Sequence, residues 1–196
     1  MPQNDFKENS LCEPVIAYGH NRQNDDPYFI DPLEDFGFKR LFGAEQNRAL
    51  TLAFLNHVLQ GKREITSLEF LKNEYPGDTR EEGAAVIDMV CKDQNGAYFL
   101  VEMQRNWQAN FKERSLFYAS RLITEQATRG DRKGWAYALK DVYVIAILEK
   151  FAIHHSGNQG QWLHDIALCH TATGKVFSER LAFTYIELPA FNKTED

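Results

Sequence analysis

Three polar side chains interrupt an otherwise apolar stretch that has the composition of two β-strands. The stretch is VIDMVCKDQNGAYFLVEMQ (residues 86–104), and the interrupting residues are Asp88, Glu102 and Gln104. Asp and Glu are depleted from strands, and a lone buried carboxylate costs several kcal/mol or takes up a proton. Carboxylate oxygens are also the ligands that hard divalent cations prefer. The stretch therefore holds candidate residues for metal-assisted chemistry.

The connection between the two strands decides whether these side chains can act together. A two-residue turn would place Asp88 opposite Met103, with the two carboxylates on opposite faces of the sheet. A three-residue loop over residues 94–96 is equally familiar, and it would pair Asp88 with Glu102. Directly opposed residues share a face, with Cβ atoms about 4.5–5.5 Å apart. Gln104 would join them, because residues i and i+2 of a strand lie on one face.

We expect the three-residue loop, with a positive φ at Gly96 as its last residue. Two like charges directly opposed are destabilising unless a cation lies between them. A divalent ion bound by both Asp88 and Glu102 is the simplest cation for that position. The alternative is structural: arginines neutralise the two carboxylates, and Gln104 hydrogen-bonds the next strand. Spacing alone leaves both interpretations open.

Length and composition are typical of one soluble domain. The chain has 196 residues, 43% of them hydrophobic and 26% charged, and domains typically run to about 100–200 residues. No apolar run approaches the roughly 18 residues that a membrane span needs, and no secretory signal is visible at the N-terminus. The three cysteines, Cys12, Cys91 and Cys169, form no CxxC pair, which favours reduced thiols and a cytoplasmic location.

The charge distribution differs from the net charge. The chain carries −6 overall, yet the stretch between Gln104 and Lys140 contains eight Lys and Arg against three acidic residues. Such a run is most often a solvated helix face. It is also what a local phosphate-binding surface beside the two carboxylates would look like. In that second interpretation this stretch would supply most of the contacts to DNA phosphates.

Hydrophobic periodicity predicts an α/β domain over residues 31–196, after a polar N-terminal extension over residues 1–30. The predicted elements are a helix over 44–60 that stops at Gly61, strands over 67–75, 84–92 and 97–104, a helix over 111–130, and strands over 141–151, 162–170 and 180–188. The order predicts a mixed central sheet flanked by helices.

The helix over 111–130 is predicted to have two distinct faces. We expect an inward apolar face and, opposite it, a polar stripe at positions i, i+4, i+7 and i+11. The inward face comprises Leu116, Phe117, Ala119, Leu122 and Ile123, and the polar stripe comprises Arg114, Tyr118, Arg121 and Glu125.

An ordered set of segments resembles the PD-(D/E)XK nuclease family transposases, also called recombination-promoting nucleases. The segments are DFGFKRLFG (35–43), ID (87–88), FLVEMQ (99–104), FKERSLFYAS (111–120), EQATRG (125–130), WAYALKDVYVIAIL (135–148) and IELPAFNKTED (186–196). The resemblance implies a restriction-endonuclease-like fold, with an αβββαβ core and additional C-terminal strands. It also implies metal-dependent cleavage of DNA in recombination or the movement of mobile elements. Relatives continue into further helical sequence, so the chain is expected to lack a C-terminal helical continuation.

The resemblance assigns catalytic roles to four residues. Asp88 corresponds to the motif Asp of the second core strand, and Glu102 and Gln104 stand where the wider superfamily has (D/E)xK. Asp35 is similar to the acidic residue ahead of the family's first helix, although an Asp in this position is commonly a helix cap. Gln in place of Lys removes a cation, but a Gln side chain can still position water. The metal ligands implied are Asp88 and Glu102, for Mg²⁺ or Mn²⁺.

Five further residues are candidates for contacts to the substrate: Lys39, Arg114, Tyr118, Arg121 and Gln126. Arg114 is expected near Glu102 or the scissile phosphate, and Tyr118 beside it. Gln126 has mostly apolar helical neighbours, so packing is an equal alternative for it. DNA is the expected partner, no membrane is expected, and a homodimer is left open.

Two functions remain from different classes. The first is a Mg²⁺-dependent DNA endonuclease associated with recombination or transposition. The second is a catalytically weakened nuclease-fold protein that binds DNA or a partner protein, because Gln104 replaces the superfamily's lysine. Intact Asp88 and Glu102 favour the first.

Overall fold

A computed structural model describes residues 30–75, 85–127, 136–153 and 161–191. Its helices are α1 (Asp35–Phe42), α2 (Arg48–Val58) and α3 (Phe111–Glu125), with 3₁₀ turns at Glu45–Asn47 and Leu188–Ala190. Its strands are β1 (Leu68–Phe70), β2 (Glu74–Tyr75), β3 (Ala85–Val86), β4 (Met89–Asp93), β5 (Tyr98–Gln104), β6 (Val142–Leu148), β7 (Leu163–Cys169) and β8 (Val176–Glu187). None of the described helices is long and apolar enough to cross a membrane. The expected N-terminal extension lies outside the described residues, apart from Ile30.

The described strands form a six-stranded mixed sheet in the order β1-β4-β5-β6-β8-β7. β5, β6 and β8 run parallel, and the other neighbours are antiparallel. The crossover containing α3 allows β5 and β6 to run parallel, since parallel neighbours need a long connection. β6 reads VYVIAIL because parallel strands are covered on both faces. The predicted class, a restriction-endonuclease-like mixed sheet flanked by helices, is confirmed.

Alternate residues of β5 enter two different cores. Leu100 packs with Ala119 and Leu122 of α3, whereas Phe99 and Val101 pack in a cluster with α1 and α2. A strand presents residues i and i+2 on one face. Glu102 and Gln104 therefore follow Leu100 onto the face covered by α3.

The inward face of α3 differs from the prediction. Leu116 is 53% exposed and Phe117 is 42% exposed, so their assignment to the inward face was wrong. The buried positions of the helix are instead Phe111, Ser115, Ala119 and Leu122. Ser115 can lie inside because its hydroxyl donates a hydrogen bond to the Phe111 carbonyl at 3.0 Å. A satisfied hydroxyl removes most of the cost of burial. The helix ends at Glu125, and the predicted end at Gly130 lies outside the described residues.

Two predicted continuous strands are each divided in the structure. The segment predicted over 67–75 forms β1 and β2, and the segment predicted over 84–92 contributes β3 and β4. β1 pairs with β4 in the main sheet, while β2 pairs with β3 in a separate two-stranded sheet. Asp88 lies between β3 and β4, where the chain changes sheet. Its amide is therefore free of the strand ladder and donates to the Glu102 carboxylate at 3.2 Å.

The β4–β5 connection has the predicted register. Met89 pairs with Val101 and Lys92 with Tyr98, and the Asp93 amide donates to the Ala97 carbonyl at 3.0 Å. The loop is therefore residues 94–96, and Gly96 has a φ of 80° as expected. Continuing the same register places Asp88 opposite Glu102.

Asp93 holds this loop through both carboxylate oxygens. Oδ1 accepts from the amides of Asn95 at 2.8 Å and Ala97 at 2.9 Å. Oδ2 accepts from Nε of Arg63 at 2.5 Å, and the Asp93 side chain is fully buried. A buried carboxylate satisfied in this way fixes the loop geometry, because losing it would leave two loop amides without their acceptor and remove one of the two carboxylates that pair with Arg63.

We therefore expect Asp93→Ala to lower the free energy of unfolding by about 3–5 kcal/mol, as for other broken buried pairs. The matched control is Glu45→Ala, which removes the exposed ion pair with Arg48 and should cost no more than about 1 kcal/mol. Urea unfolding of both variants measures the difference. Equal costs for the two variants would contradict the role given to Asp93.

Candidate active site

Asp88 and Glu102 are neighbours where β4 begins beside β5. The Asp88 amide donates to Oε1 of Glu102 at 3.2 Å, and the Met103 amide donates to Oδ2 of Asp88 at 2.8 Å. Only 14% of the Asp88 side chain and about 9% of the Glu102 side chain are exposed. The backbone of each strand thus orients the carboxylate of the other, and both carboxylates are largely removed from water.

Burial raises the pKa of both carboxyls. Burial, reinforced by the charge of Asp88, raises the pKa of Glu102 to about 8, although Arg114 opposes the shift. Burial also raises the pKa of Asp88, against the stabilising effects of the Met103 amide and Lys39. Two partly desolvated anions side by side cannot both ionise easily. The described cations therefore neutralise the two carboxylates only in part, and a further cation would stabilise their ionised forms.

Arg114 supplies part of that charge from α3. Its Nη2 lies 3.6 Å from Oε2 of Glu102, and its guanidinium also donates to the side-chain oxygens of Gln104 and Gln108. The guanidinium carbon lies 5.4 Å from the centre of the Phe111 ring and 5.9 Å from that of Tyr118. Contacts on all sides fix its position, as the planar guanidinium fork allows.

Gln104 is held at both ends of its amide. Oε1 accepts from Nη2 of Arg114, and Nε2 donates to the Asn106 carbonyl at 2.8 Å. The residue is 8% exposed. A carbonyl oxygen accepts two hydrogen bonds and an amide group donates two. One lone pair and one N–H of Gln104 therefore remain for a further partner.

Lys39 approaches Asp88 from α1. Its Nζ lies 2.7 Å from Oδ1 of Asp35 and 3.4 Å from Oδ1 of Asp88. Burial opposes its charge, but the two carboxylates outweigh burial and raise the pKa of Lys39. The hydrogen bond from Lys39 lowers the pKa of Asp35.

Asp35 does not cap α1. The N-cap position is Glu34, and no side chain forms a cap hydrogen bond there. Asp35 is instead the first residue of the helix, and 69% of its side chain is exposed. Asp35 contacts Lys39, one helical turn further along, and its carboxyl also interacts directly with that of Asp88.

A cleft of about 190 Å³ opens beside Asp88 and Lys39. One wall of the cleft comprises Phe70, the last residue of β1, with Leu71 and Asn73, which follow that strand. Val90 of β4 lies on another wall. The cleft gives a ligand access to the Asp88 end of the site.

The remaining predicted contact residues lie at different distances from the carboxylates. Tyr118 is half-buried near Glu102, and burial together with that charge raises its pKa. Arg121 lies a turn further along α3, with its guanidinium carbon 5.5 Å from the centre of the Phe117 ring. Gln126 is not brought to the carboxylates by any described contact. Its amide accepts from the Lys140 amide at 2.7 Å and donates to the Lys140 carbonyl at 3.3 Å.

Two residues that support the site were not predicted from the sequence. Asn106 and Gln108 follow β5 and hydrogen-bond Gln104 and Arg114. Asn106 acts through its backbone carbonyl, which leaves no signal in the sequence. Gln108 acts through its side-chain amide, in a segment without helix or strand periodicity where nothing distinguishes it from a solvated residue.

Among the described residues, no three His, Cys, Asp or Glu side chains converge as a metal-binding group. Asp88 lies beside Glu102 and also interacts with the Asp35 carboxyl, and the Gln104 amide lies on the same strand face as Glu102. An ion at this site would therefore depend on two carboxylates and on waters or substrate oxygens for its other ligands.

The chain belongs to a known family of nucleases. A family model described as PD-(D/E)XK nuclease family transposase matches residues 32–196, which is most of the chain. The predicted resemblance is thereby confirmed, and it supports a nuclease-type function related to transposition. A search of curated proteins found no match, and neither did a search of solved structures.

The raised pKa of Glu102 predicts how stability depends on pH without metal. Between pH 4.5 and about 8 the folded protein holds a proton that the unfolded chain releases. The free energy of unfolding should therefore fall as pH rises through this window, by up to about 1.4 kcal/mol per pH unit. Glu102→Gln is neutral in both states and should lose this slope.

Urea unfolding in EDTA, from about pH 5 to about pH 9, measures the difference between the parent and Glu102→Gln. The variant should gain stability relative to the parent as pH rises. A difference that stays constant across the range would show that Glu102 ionises normally.

Proposed function

We propose that this protein is a Mg²⁺- or Mn²⁺-dependent DNA endonuclease that acts in recombination or transposition. The observation that carries the proposal is the buried pair Asp88 and Glu102, whose charges the described side chains neutralise only in part. Family membership supports a nuclease-type reaction, for which DNA is the implied substrate. The metal is inferred from the chemistry of the site, and the endonuclease mode is part of the proposal.

The residues present fit a hard divalent cation. Mg²⁺ is commonly bound by one or two carboxylates, with waters and substrate phosphate oxygens filling the other positions. Asp88 and Glu102 would hold it, and the free lone pair or N–H of Gln104 would face its waters. A bound ion polarises a phosphoryl oxygen and lowers the pKa of water.

The chain's own residues orient the reacting groups. The Met103 amide fixes Asp88, and Arg114 fixes Glu102 and Gln104 together. Gln104 can hold a water by a hydrogen bond but cannot accept its proton, because an amide is not a base near neutral pH. The proton of an attacking water would therefore pass to solvent.

One observation favours the second candidate, a nuclease-fold protein that binds DNA or a partner protein without efficient cleavage. Gln104 already hydrogen-bonds Arg114 and Asn106, which leaves it fewer groups for a water than the superfamily's lysine would have. Cleavage measurements with and without metal separate the two candidates.

Asp88→Asn and Glu102→Gln should each abolish nicking of supercoiled plasmid in Mg²⁺ or Mn²⁺. The expected loss exceeds the roughly 10–100-fold that follows removal of a supporting partner of a metal ligand. Both variants should also lose Mn²⁺ binding by calorimetry, since one carboxylate holds the ion poorly. Glu69→Gln, an exposed carboxylate on β1, is the matched control and should retain both.

The parent protein decides between the two candidates. If it binds DNA but nicks plasmid in neither metal, the binding-module function replaces the enzyme. If Asp88→Asn and Glu102→Gln nick at the parent rate, these carboxylates are structural.

A further inference from the structure

We propose that Lys39 of α1 is the cationic residue that contacts the scissile phosphodiester, and that Asp35 is the positioning residue that holds it. This inference rests on the proposed nuclease function and concerns the same site. It assigns the positive charge of the site to a helix that precedes the sheet, whereas the superfamily motif carries it on β5 at the position of Gln104.

The position of Lys39 is fixed by its helix. The preceding residue, Phe38, is fully buried in the core beneath α1, and the Lys39 carbonyl accepts from the Gly43 amide at 2.9 Å. The start of the helix is tied to the end of β5, because Arg105 lies 3.1 Å from the carboxylate of the N-cap residue Glu34. Lys39 is therefore presented from a rigid element beside the strand that carries Glu102.

The other cation of the site is held among neighbouring side chains. Arg114 contacts three side-chain oxygens, from Glu102, Gln104 and Gln108. Lys39 is 35% exposed and lines the cleft beside Asp88. An ammonium carries three N–H donors, and the described carboxylates near Lys39 are two, Asp35 and Asp88. A donor remains for an anionic group that enters the cleft.

Asp35 holds Lys39 through a contact within α1. Their contact, at 2.7 Å, is shorter than the 3.4 Å contact between Lys39 and Asp88, and it joins two residues one turn apart on the same helix. When the Asp88 carboxylate is engaged by a cation, Lys39 can turn toward the substrate without leaving Asp35. Asp35 then acts through Lys39 and is not a metal ligand.

The proposed reaction is hydrolysis of the phosphodiester by water. A water oxygen forms a bond to phosphorus, and the bond from phosphorus to the leaving sugar oxygen breaks. The proton of the water passes to solvent, and the leaving oxygen takes a proton from solvent. Lys39 keeps its proton throughout and donates a hydrogen bond to a non-bridging phosphate oxygen, where negative charge accumulates in the transition state.

Lys39→Gln tests this assignment against Arg40→Gln, which makes the same charge change at the next, exposed residue. In single-turnover cleavage at saturating Mg²⁺, Lys39→Gln should lower the rate by about 10²–10³-fold, as when one donor to a developing anion is removed. Arg40→Gln should leave the rate unchanged. Lys39→Arg should recover most of the loss, because it restores a cationic donor.

Mn²⁺ calorimetry without DNA provides a second readout, which separates a positioning role for Asp35 from a role as metal ligand. Lys39→Gln and Asp35→Asn should bind Mn²⁺ as tightly as the parent or more tightly, since a competing cation is removed or released. Asp35→Asn should also cleave more slowly, by a smaller factor than Lys39→Gln. Loss of Mn²⁺ binding in Asp35→Asn would make Asp35 a ligand and overturn its positioning role.

The outcomes separate this inference from the proposed function. If the parent cleaves and Lys39→Gln cleaves as fast as Arg40→Gln, Lys39 only neutralises Asp88, and the nuclease function stands. If the parent neither binds Mn²⁺ nor cleaves, the proposed function fails, and the assignment of Lys39 fails with it.

Discussion

The geometry of the site depends on a buried carboxylate at the opposite end of the β4–β5 hairpin. Asp93 accepts from two loop amides and from Arg63, and it thereby sets a three-residue loop. A register shift of one residue would move a strand's side chains to the other face. Asp88 would then lose its place opposite Glu102. An interaction about five residues, or roughly 16 Å, along the strand thus determines whether the two carboxylates meet.

The same hairpin carries electrostatic strain that the surrounding helices relieve in part. Burial raises the pKa of both Asp88 and Glu102, and the charge of Asp88 raises the pKa of Glu102 further. Lys39 contacts the Asp88 carboxylate, and Arg114 contacts the Glu102 carboxylate. A protein selected for stability alone would replace such a pair with apolar side chains. Retaining the two carboxylates lowers stability, as is expected where binding or catalysis needs charged groups.

The parts that could be predicted from the sequence depend on local chemistry. Gly96 limits the loop to a few geometries, and the apolar run of β6 indicates a strand buried on both faces. The division of the strand around Asp88 could not be predicted. Alternating apolar and polar residues indicate a strand, but they do not show which of two sheets each part of the strand joins. The face of α3 was misassigned because apolar size favoured Leu116 and Phe117, whereas a hydrogen bond made Ser115 the better buried residue.

The cations of the site come from helices outside the hairpin. β4 and β5 supply two carboxylates and an amide, whereas Lys39 and Arg114 arrive on α1 and α3, which pack against opposite faces of the sheet. The hairpin alone would therefore hold a repelling pair. In the folded domain the two helices bring a cation to each carboxylate. A lysine on β5 would neutralise the pair within the hairpin, whereas here the charge balance is achieved only in the folded domain.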